Sequence, residues 1–350
     1  MRTRFLFILV MILSSCASVE DPYLYSLRKL PEEILRPVRS VSLEKYDVKS
    51  PTDIFYHHGS FVILDSHSEY CFNVLDLEHE TKTGIIRKGR GPREVIAYSI
   101  SFCEDEPFLY DMGSGACVRV NIDSSIASSR PILDTISVLH NNRGTPAPLQ
   151  MAGEFFLSPY PYESGAWYVL RNREGKVLSK LRAPSYPVLS EMNTNVYYSF
   201  IMSSFCTFNP HNSKMCAVSV NSPTISFSDI MKTELHEYKR YEYDGPIISE
   251  GGDAFSRLSK RAFSRPVSDD AYVYLLYSGI PFSGSDDNLP AYEDHHLIVY
   301  DWEGVPRRHI VLSEHICAMC VNGHTLYGVT SYSECKIIEY DLSEIRRFLG

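Results

Sequence analysis

Three runs decide the architecture of this chain: Gly59-Ser-Phe-Val-Ile-Leu-Asp65, Tyr70-Cys-Phe-Asn-Val-Leu-Asp-Leu77 and Gly84-Ile-Ile-Arg87, the last leading into Gly89-Arg-Gly-Pro-Arg-Glu94. Short β-rich runs separated by turn residues over 53–94 predict an antiparallel meander. Weaker copies follow to the C-terminus. Turn markers precede an apolar run at Asp105-Glu-Pro107, Gly153, Asn212-Ser213, Asp269-Asp270 and Asn322-Gly323. With Gly59 they make six markers at a spacing of roughly fifty to sixty residues, which suits one four-stranded propeller blade plus loops. Third runs follow each marker, among them Cys117–Ile122, Trp167–Leu170, Leu297–Tyr300 and Lys336–Tyr340.

The reading is an all-β, six-bladed propeller of four-stranded antiparallel blades over residues 38–350. Val38-Arg-Ser-Val-Ser-Leu43 has no hairpin partner beside it, while the last blade lacks a fourth run after Asp341. Exposed sheet edges invite mispairing, so this N-terminal strand is expected to complete the last blade. Asn322-Gly323 is expected to form a type I′ hairpin turn, and Ser343–Leu349 a short helical cap. A pair of β-sandwiches is the competing fold. It lacks support from any central linker or shift in composition.

At 350 residues the chain has 44% hydrophobic and 22% charged residues, the composition of a folded protein. A formal charge of −9, with no basic block beyond the extreme N-terminus, argues against nucleic acid as a partner. Residues 1–16 stand apart: Arg2 and Arg4 precede the apolar run 5–13, which is too short to span a bilayer and has the layout of a secretory signal. Leu13-Ser-Ser-Cys16 resembles the bacterial lipobox, in which Cys16 becomes the lipidated first residue. A plain signal peptide with an incidental Cys, or a buried N-terminal strand, are the alternatives. Loss of residues 1–15 removes Arg2 and Arg4 and takes the formal charge from −9 to −11. The acyl chains would be the only membrane attachment, each buried CH₂ adding about 0.8 kcal/mol. Glu20-Asp21 resembles the acidic export signal of surface lipoproteins in Bacteroidetes, leaving periplasmic and surface orientations of an outer-membrane lipoprotein both open. Residues 17–37 read as a tether with one helical turn around Leu30–Leu35.

The six repeats, the lipobox and Gly89-Arg-Gly-Pro-Arg-Glu94 together resemble the TolB-like six-bladed propeller lipoproteins of Bacteroidetes. The Gly-x-Gly-Pro-x-Glu turn is similar to the Gly-rich turn of NHL repeats. The resemblance spans roughly residues 38–349 and implies a fold rather than an activity. Gly89, Gly91, Pro92 and Glu94 carry over, as a turn.

In such a ring the connections between blades, and those between second and third strands, share one face. Here they include residues 89–99, 184–198, 245–265 and 278–294, and loops this long are commonly functional. Arg90, Arg93 and Glu94 on the first loop could clamp an anion through guanidinium forks, or simply pair and face water. Asp286, Asp287, Glu293 and Asp294 could hold Ca²⁺, which takes six to eight oxygen ligands. They lack the regular spacing of a dedicated calcium loop. Tyr160, Tyr162, Tyr292 and Trp167 could stack on a sugar, although Tyr is also an ordinary strand residue.

The pairs His57-His58 and His295-His296, with His309, His315 and His324, suggest a metal. Neighbours on a strand point to opposite faces, however, and no metal site is assigned. Cys317-Ala-Met-Cys320 reads as a buried apolar pair. Around the turn 209–213, pairing Phe208 with Lys214 would set Cys206 opposite Cys216, making them a candidate disulfide in an exported protein.

No nucleophile elbow or phosphate loop appears, so no catalytic residue is assigned. The preferred reading is a monomeric, lipid-anchored envelope protein without cofactor, presenting its loop-rich face to a protein, peptide or glycan. The alternative is a propeller hydrolase or lyase acting on a polysaccharide or lactone with Ca²⁺ in its channel, for which Glu94, Asp65, His67 and Asp286 are the candidate groups.

Overall fold

The computed structural model describes residues 21–91, 94–103, 106–111, 113–139, 149–283, 294–331 and 334–347. The strands form six sheets, five of four strands and one of five. Blades 1 to 4 are each built from consecutive strands in simple up-and-down order: Pro51–Arg87, Ala97–Val138, Gln150–Arg182 and Ser204–Glu242. Blade 5 holds Val267–Ser268, Tyr272–Tyr277, Asp294–Asp301 and Pro306–Ile316. Blade 6 holds Ala318–Asn322, Thr325–Val329 and Lys336–Asp341, and takes its outer strand from Arg39–Ser42. That strand runs antiparallel to the last one, with Val41 opposite Ile337, and so completes the ring as the unpaired N-terminal run required.

Gly59, Gly153, Asn212-Ser213, Asp269-Asp270 and Gly323 lie between the first and second strands of their blades, and Glu106-Pro107 opens the second strand of blade 2. The details follow from which residues accept positive φ. His57 pairs with Ser60, leaving His58 (φ 45°) and Gly59 (φ 89°) in the centre of a type I′ turn. At the sixth marker Asn322 pairs with Thr325, so Gly323 and His324 are central, and only Gly323 has positive φ. That is the arrangement of a type II′ turn, where the sequence suggested I′ centred one residue earlier.

Middle strands are covered on both faces by neighbouring blades, which is why Tyr272-Val-Tyr-Leu-Leu-Tyr277 is a continuous apolar run. The core therefore lies in the seams: six hydrophobic clusters, one between each adjacent pair of blades. No described helix is long and apolar enough to cross a membrane, and Ser343–Arg347 forms the C-terminal helix.

The segment read as a tether is built into this frame from Asp21 onward. Pro22–Leu27 is a helix capped by Asp21 Oδ1, which accepts from Tyr23 N and Leu24 N. Asp21 Oδ2 accepts from Lys260 Nζ at 2.8 Å and Tyr277 Oη at 2.9 Å. Tyr23 is fully buried in the seam of blades 4 and 5, edge-on to Tyr243, Phe263 and Tyr277, and hydrogen bonded through its hydroxyl to Tyr300. The helical turn expected around Leu30–Leu35 is instead a strand, Glu32–Leu35, lying parallel to His309–Leu312 as a fifth strand of blade 5. An unpaired outer edge there offers hydrogen bonds that a lone helical turn could not match.

Next to that strand, His296 Nδ1 and His309 Nε2 share a hydrogen bond of 3.0 Å, His295 packs on His296 and His315, and His309 faces Glu32. Burial pushes His295 down to about 4 and His296 down to about 3, with the neighbouring imidazoles adding to the shift and Asp21 opposing it at His296.

Two outcomes follow. Tyr23→Ala should lower unfolding free energy by about 3–5 kcal/mol, as for other large buried aromatics, and Tyr23→Phe by about 1 kcal/mol, both read from urea midpoints. The unfolded chain protonates these histidines near pH 6.5, whereas the native state resists until about 4 and 3. Their contribution to stability is thus complete above pH 6.5 and is lost on acidification. Melting temperature should fall between pH 6.5 and 4, and His296→Gln should flatten that slope.

Candidate functional site

The first strand of every blade lines the central channel, and each runs from the loop-rich face toward the face of tight turns. Arg265 lies just before the first strand of blade 5 and reaches across the axis. Its Nη1 is 3.2 Å from Asp53 Oδ2 of blade 1 and donates to the Ile100 carbonyl of blade 2 at 2.7 Å. The guanidinium also sits 5.4 Å from the Phe205 ring of blade 4. One side chain thereby ties four blades together and obstructs the channel. Burial pushes the Asp53 carboxyl above the ordinary aspartate range, against the opposing pull of Arg265 and the Ile54 amide. Below this plug, toward the turn face, a cavity of about 470 Å³ is lined by Tyr56, Thr207, Asn209, Ser268, Asp270 and Cys320, among others. At its rim His211 and Asp270 stand 3.4 Å apart, both solvent-exposed.

Among the described residues, two of the acidic groups expected to serve chemistry, Asp65 and Glu94, are occupied by the backbone. Asp65 accepts from the amides of Lys49, Ser50 and His67, and so holds the entry to blade 1. Glu94 accepts from Gly91 N at 2.7 Å, closing the Gly-rich turn on itself. A Cβ on Gly89 would stand 2.1 Å from the Glu94 carboxylate, so a larger residue there would push that side chain off its bond to Gly91 N. Arg90 is exposed, and His67 contacts Ser66 at the surface. Arg93, Asp286, Asp287 and Tyr292 lie outside the described residues.

The aromatic grouping is partly realised. Tyr160 and Tyr162 have ring centroids 5.6 Å apart, and Tyr198, from the helix Thr194–Met202, joins them 5.9 Å from Tyr162. Tyr162 and Tyr198 are 37% and 36% exposed on the loop-rich face. Arg171 and Lys180 lie over Tyr160. Trp167, by contrast, is fully buried in the seam of blades 3 and 4. Tyr198 escaped the sequence reading because its helix interrupts the strand pattern.

Two expectations are corrected. The hairpin pairs Asn209 with Lys214, so Cys206 stands opposite Ala217 and Cys216 opposite Thr207. A shift of one residue turns a strand side chain to the other face, and both cysteines are free thiols. Burial pushes Cys206 up to about 12, which makes it a poor nucleophile. The rule that adjacent histidines diverge also fails at His57-His58, where strand geometry ends. The left-handed His58 turns its ring back beside His57, centroids 4.2 Å apart, and both imidazoles meet Asp123 of blade 2.

Six radial blades around a narrow, partly filled channel define a six-bladed β-propeller. The chain belongs to the TolB-like 6-blade propeller-like family, whose model matches residues 31–324. Among solved structures it is similar to a luciferin-regenerating enzyme (8% identity, 87% of this chain and 95% of that one, TM-score 0.50). It is also similar to regucalcin, a calcium-binding protein from Agrobacterium tumefaciens (11% identity, 88% and 96%, TM-score 0.49). A member of the DUF4221 family from Bacteroides vulgatus gives 10% identity, 89% and 96% coverage and a TM-score of 0.49. At these identities the likeness concerns the fold alone. No curated protein matches the sequence.

If Arg265 and Asp53 hold the ring through their charge pair, Asp53→Asn should destabilise by about 3 kcal/mol, because it leaves a largely buried guanidinium uncompensated. The double variant Asp53→Asn/Arg265→Met should lose less than the sum of the single changes, measured by a double-mutant cycle in urea.

Proposed function

We propose that this protein is a non-catalytic binding protein of the bacterial cell envelope, anchored by a lipid on Cys16, whose loop-rich face engages a protein or peptide partner. The observation that carries this reading is the exposed cluster of Tyr160, Tyr162 and Tyr198, bordered by Arg171 and Lys180. Tyrosine and arginine are the residue types enriched at the energetic centres of protein interfaces. The ring planes meet at 76° and 65°, which favours a pocketed anchor over the flat platform on which sugar rings stack. The hydrolase reading draws less support. The channel carboxylate Asp53 is tied to Arg265, and Asp65 and Glu94 spend their oxygens on backbone amides.

Asp21 is fixed on the loop-rich side by Lys260 and Tyr277. The five residue-to-residue steps from Cys16 to Asp21 can extend no more than about 17 Å. A lipid on Cys16 therefore holds this face close to the bilayer, so the partner is expected in or beside the membrane.

The test is crosslinking and co-purification from envelope membranes with the full-length protein and its Tyr162→Ala/Tyr198→Ala variant. Loss of interface anchors worth about 2 kcal/mol should reduce recovered partner at least tenfold while the melting temperature stays near wild type. Cys16→Ser should release the chain from the membrane fraction and lose the same partner. Equal recovery by wild type and the tyrosine variant would refute the reading.

A further inference from the structure

On the turn face, away from the tyrosine cluster, the first hairpin of blade 1 meets the helix of blade 2. His57 is the last residue of the inner strand Pro51–His57 and is buried, so its ring is fixed by the blades around it. His58 occupies the first central position of the type I′ turn. Asp123 is in the first turn of the helix Ile122–Ser128. That helix is anchored by Asn121, which caps Ser124 N at 2.8 Å, and by Ser125, whose hydroxyl donates to the Asn121 carbonyl. His57 Nε2 lies 3.1 Å from Asp123 Oδ1, and His58 Nδ1 lies 2.9 Å from Asp123 Oδ2. The carboxylate is held below the ordinary aspartate range, chiefly by its hydrogen bond from His58.

We propose that His57, His58 and Asp123 form a Zn²⁺-binding site that joins blade 1 to blade 2. The three ligand atoms all lie within 4.8 Å of one another. Ligands bonded to zinc at about 2.0–2.1 Å in a tetrahedron stand roughly 3.3 Å apart. The His–Asp contacts of 3.1 and 2.9 Å are made to different oxygens of the carboxylate, so gathering one ion requires rotation of the exposed His58 and Asp123 side chains from ligand-atom separations that do not exceed 4.8 Å. Two imidazole nitrogens and one carboxylate match a borderline transition metal rather than Ca²⁺ or Mg²⁺, which take oxygen ligands. Three protein ligands leave a fourth position for water. His58 and Asp123 are 63% and 61% exposed, so the ion has an open path from solvent, while buried His57 supplies a fixed direction. Binding displaces the protons that the imidazoles share with Asp123 and replaces two hydrogen bonds by three coordinate bonds. The site rests on different residues from the tyrosine cluster and stands or falls separately from it.

The test uses the full-length chain stripped with EDTA and titrated with Zn²⁺, followed by calorimetry and by the melting temperature, with Co²⁺ as a spectroscopic substitute. His58→Asn suits the left-handed turn position, which Asn tolerates, and Asp123→Asn is isosteric at an exposed site. Each is first compared with wild type in EDTA to establish an intact fold. Wild type should bind one Zn²⁺ at this site, melt at higher temperature with metal, and show the visible bands of a tetrahedral cobalt centre. Both variants should weaken binding at least about tenfold, since even outer partners of a metal ligand are worth that much. His315→Ala, in the separate histidine cluster of blade 5, should leave it unchanged. No retention of Zn²⁺ at micromolar free metal would overturn the proposal, as would retention that survives His58→Asn and Asp123→Asn.

Discussion

The structure depends on one pairing between distant parts of the chain, Arg39–Ser42 against Lys336–Asp341. Sheet edges carry unpaired backbone donors and acceptors, and a ring of blades has no edge at its junction only when its ends share a blade. Bringing together segments separated by about 300 residues costs on the order of 5 kcal/mol in loop-closure entropy. Four ladder positions alone would hardly offset that. What makes closure favourable is that it also completes the seam between blades 6 and 1, where Leu43, Tyr46, Ile54, Phe61, Val329 and Ile337 bury one another. Edge pairing and seam packing are therefore one event.

The same economy governs what lies upstream of the closing strand. Glu32–Leu35 adds to blade 5 and Pro22–Leu27 plugs the seam of blades 4 and 5, so the N-terminal segment runs back across three blades. Asp21 has two roles, capping the helix with one oxygen and binding Lys260 and Tyr277 with the other. Any anchor attached before Asp21 is thus coupled to the rigid ring, and its position dictates which face of the ring lies toward it.

The two faces then differ in chemistry for topological reasons. Connections between blades must cover radial distance and so are long. They carry the helix that brings Tyr198 to Tyr162 and the approach to the first strand of blade 5 from which Arg265 crosses the axis. Turns on the other face are tight, and tight turns require positive φ. That requirement places His58 in the left-handed region and folds its ring beside His57. Arg265 separates the two faces, closing the channel above the cavity that opens among the turns.

How much of this was legible follows from which constraints are local. Turn markers were readable because glycine, asparagine and aspartate are selected where φ is positive or the chain reverses, and the count of six blades rests on that alone. Register was less secure. Asn209 remains in the strand and Ser213 adopts φ 55°, one residue of difference that turns Cys206 away from Cys216. Convergence was not readable at all: Asp53 sits in the opening stretch as an ordinary strand carboxylate, and only closure of the ring sets it against Arg265. The His57–His58–Asp123 cluster fails to show in sequence for the same reason, compounded by a turn that breaks the strand alternation from which its histidines were expected to diverge. In a propeller the fold is written in local repeats, whereas its sites are written in the angles between blades, so chemistry has to be sought where first strands and turns from adjacent blades meet.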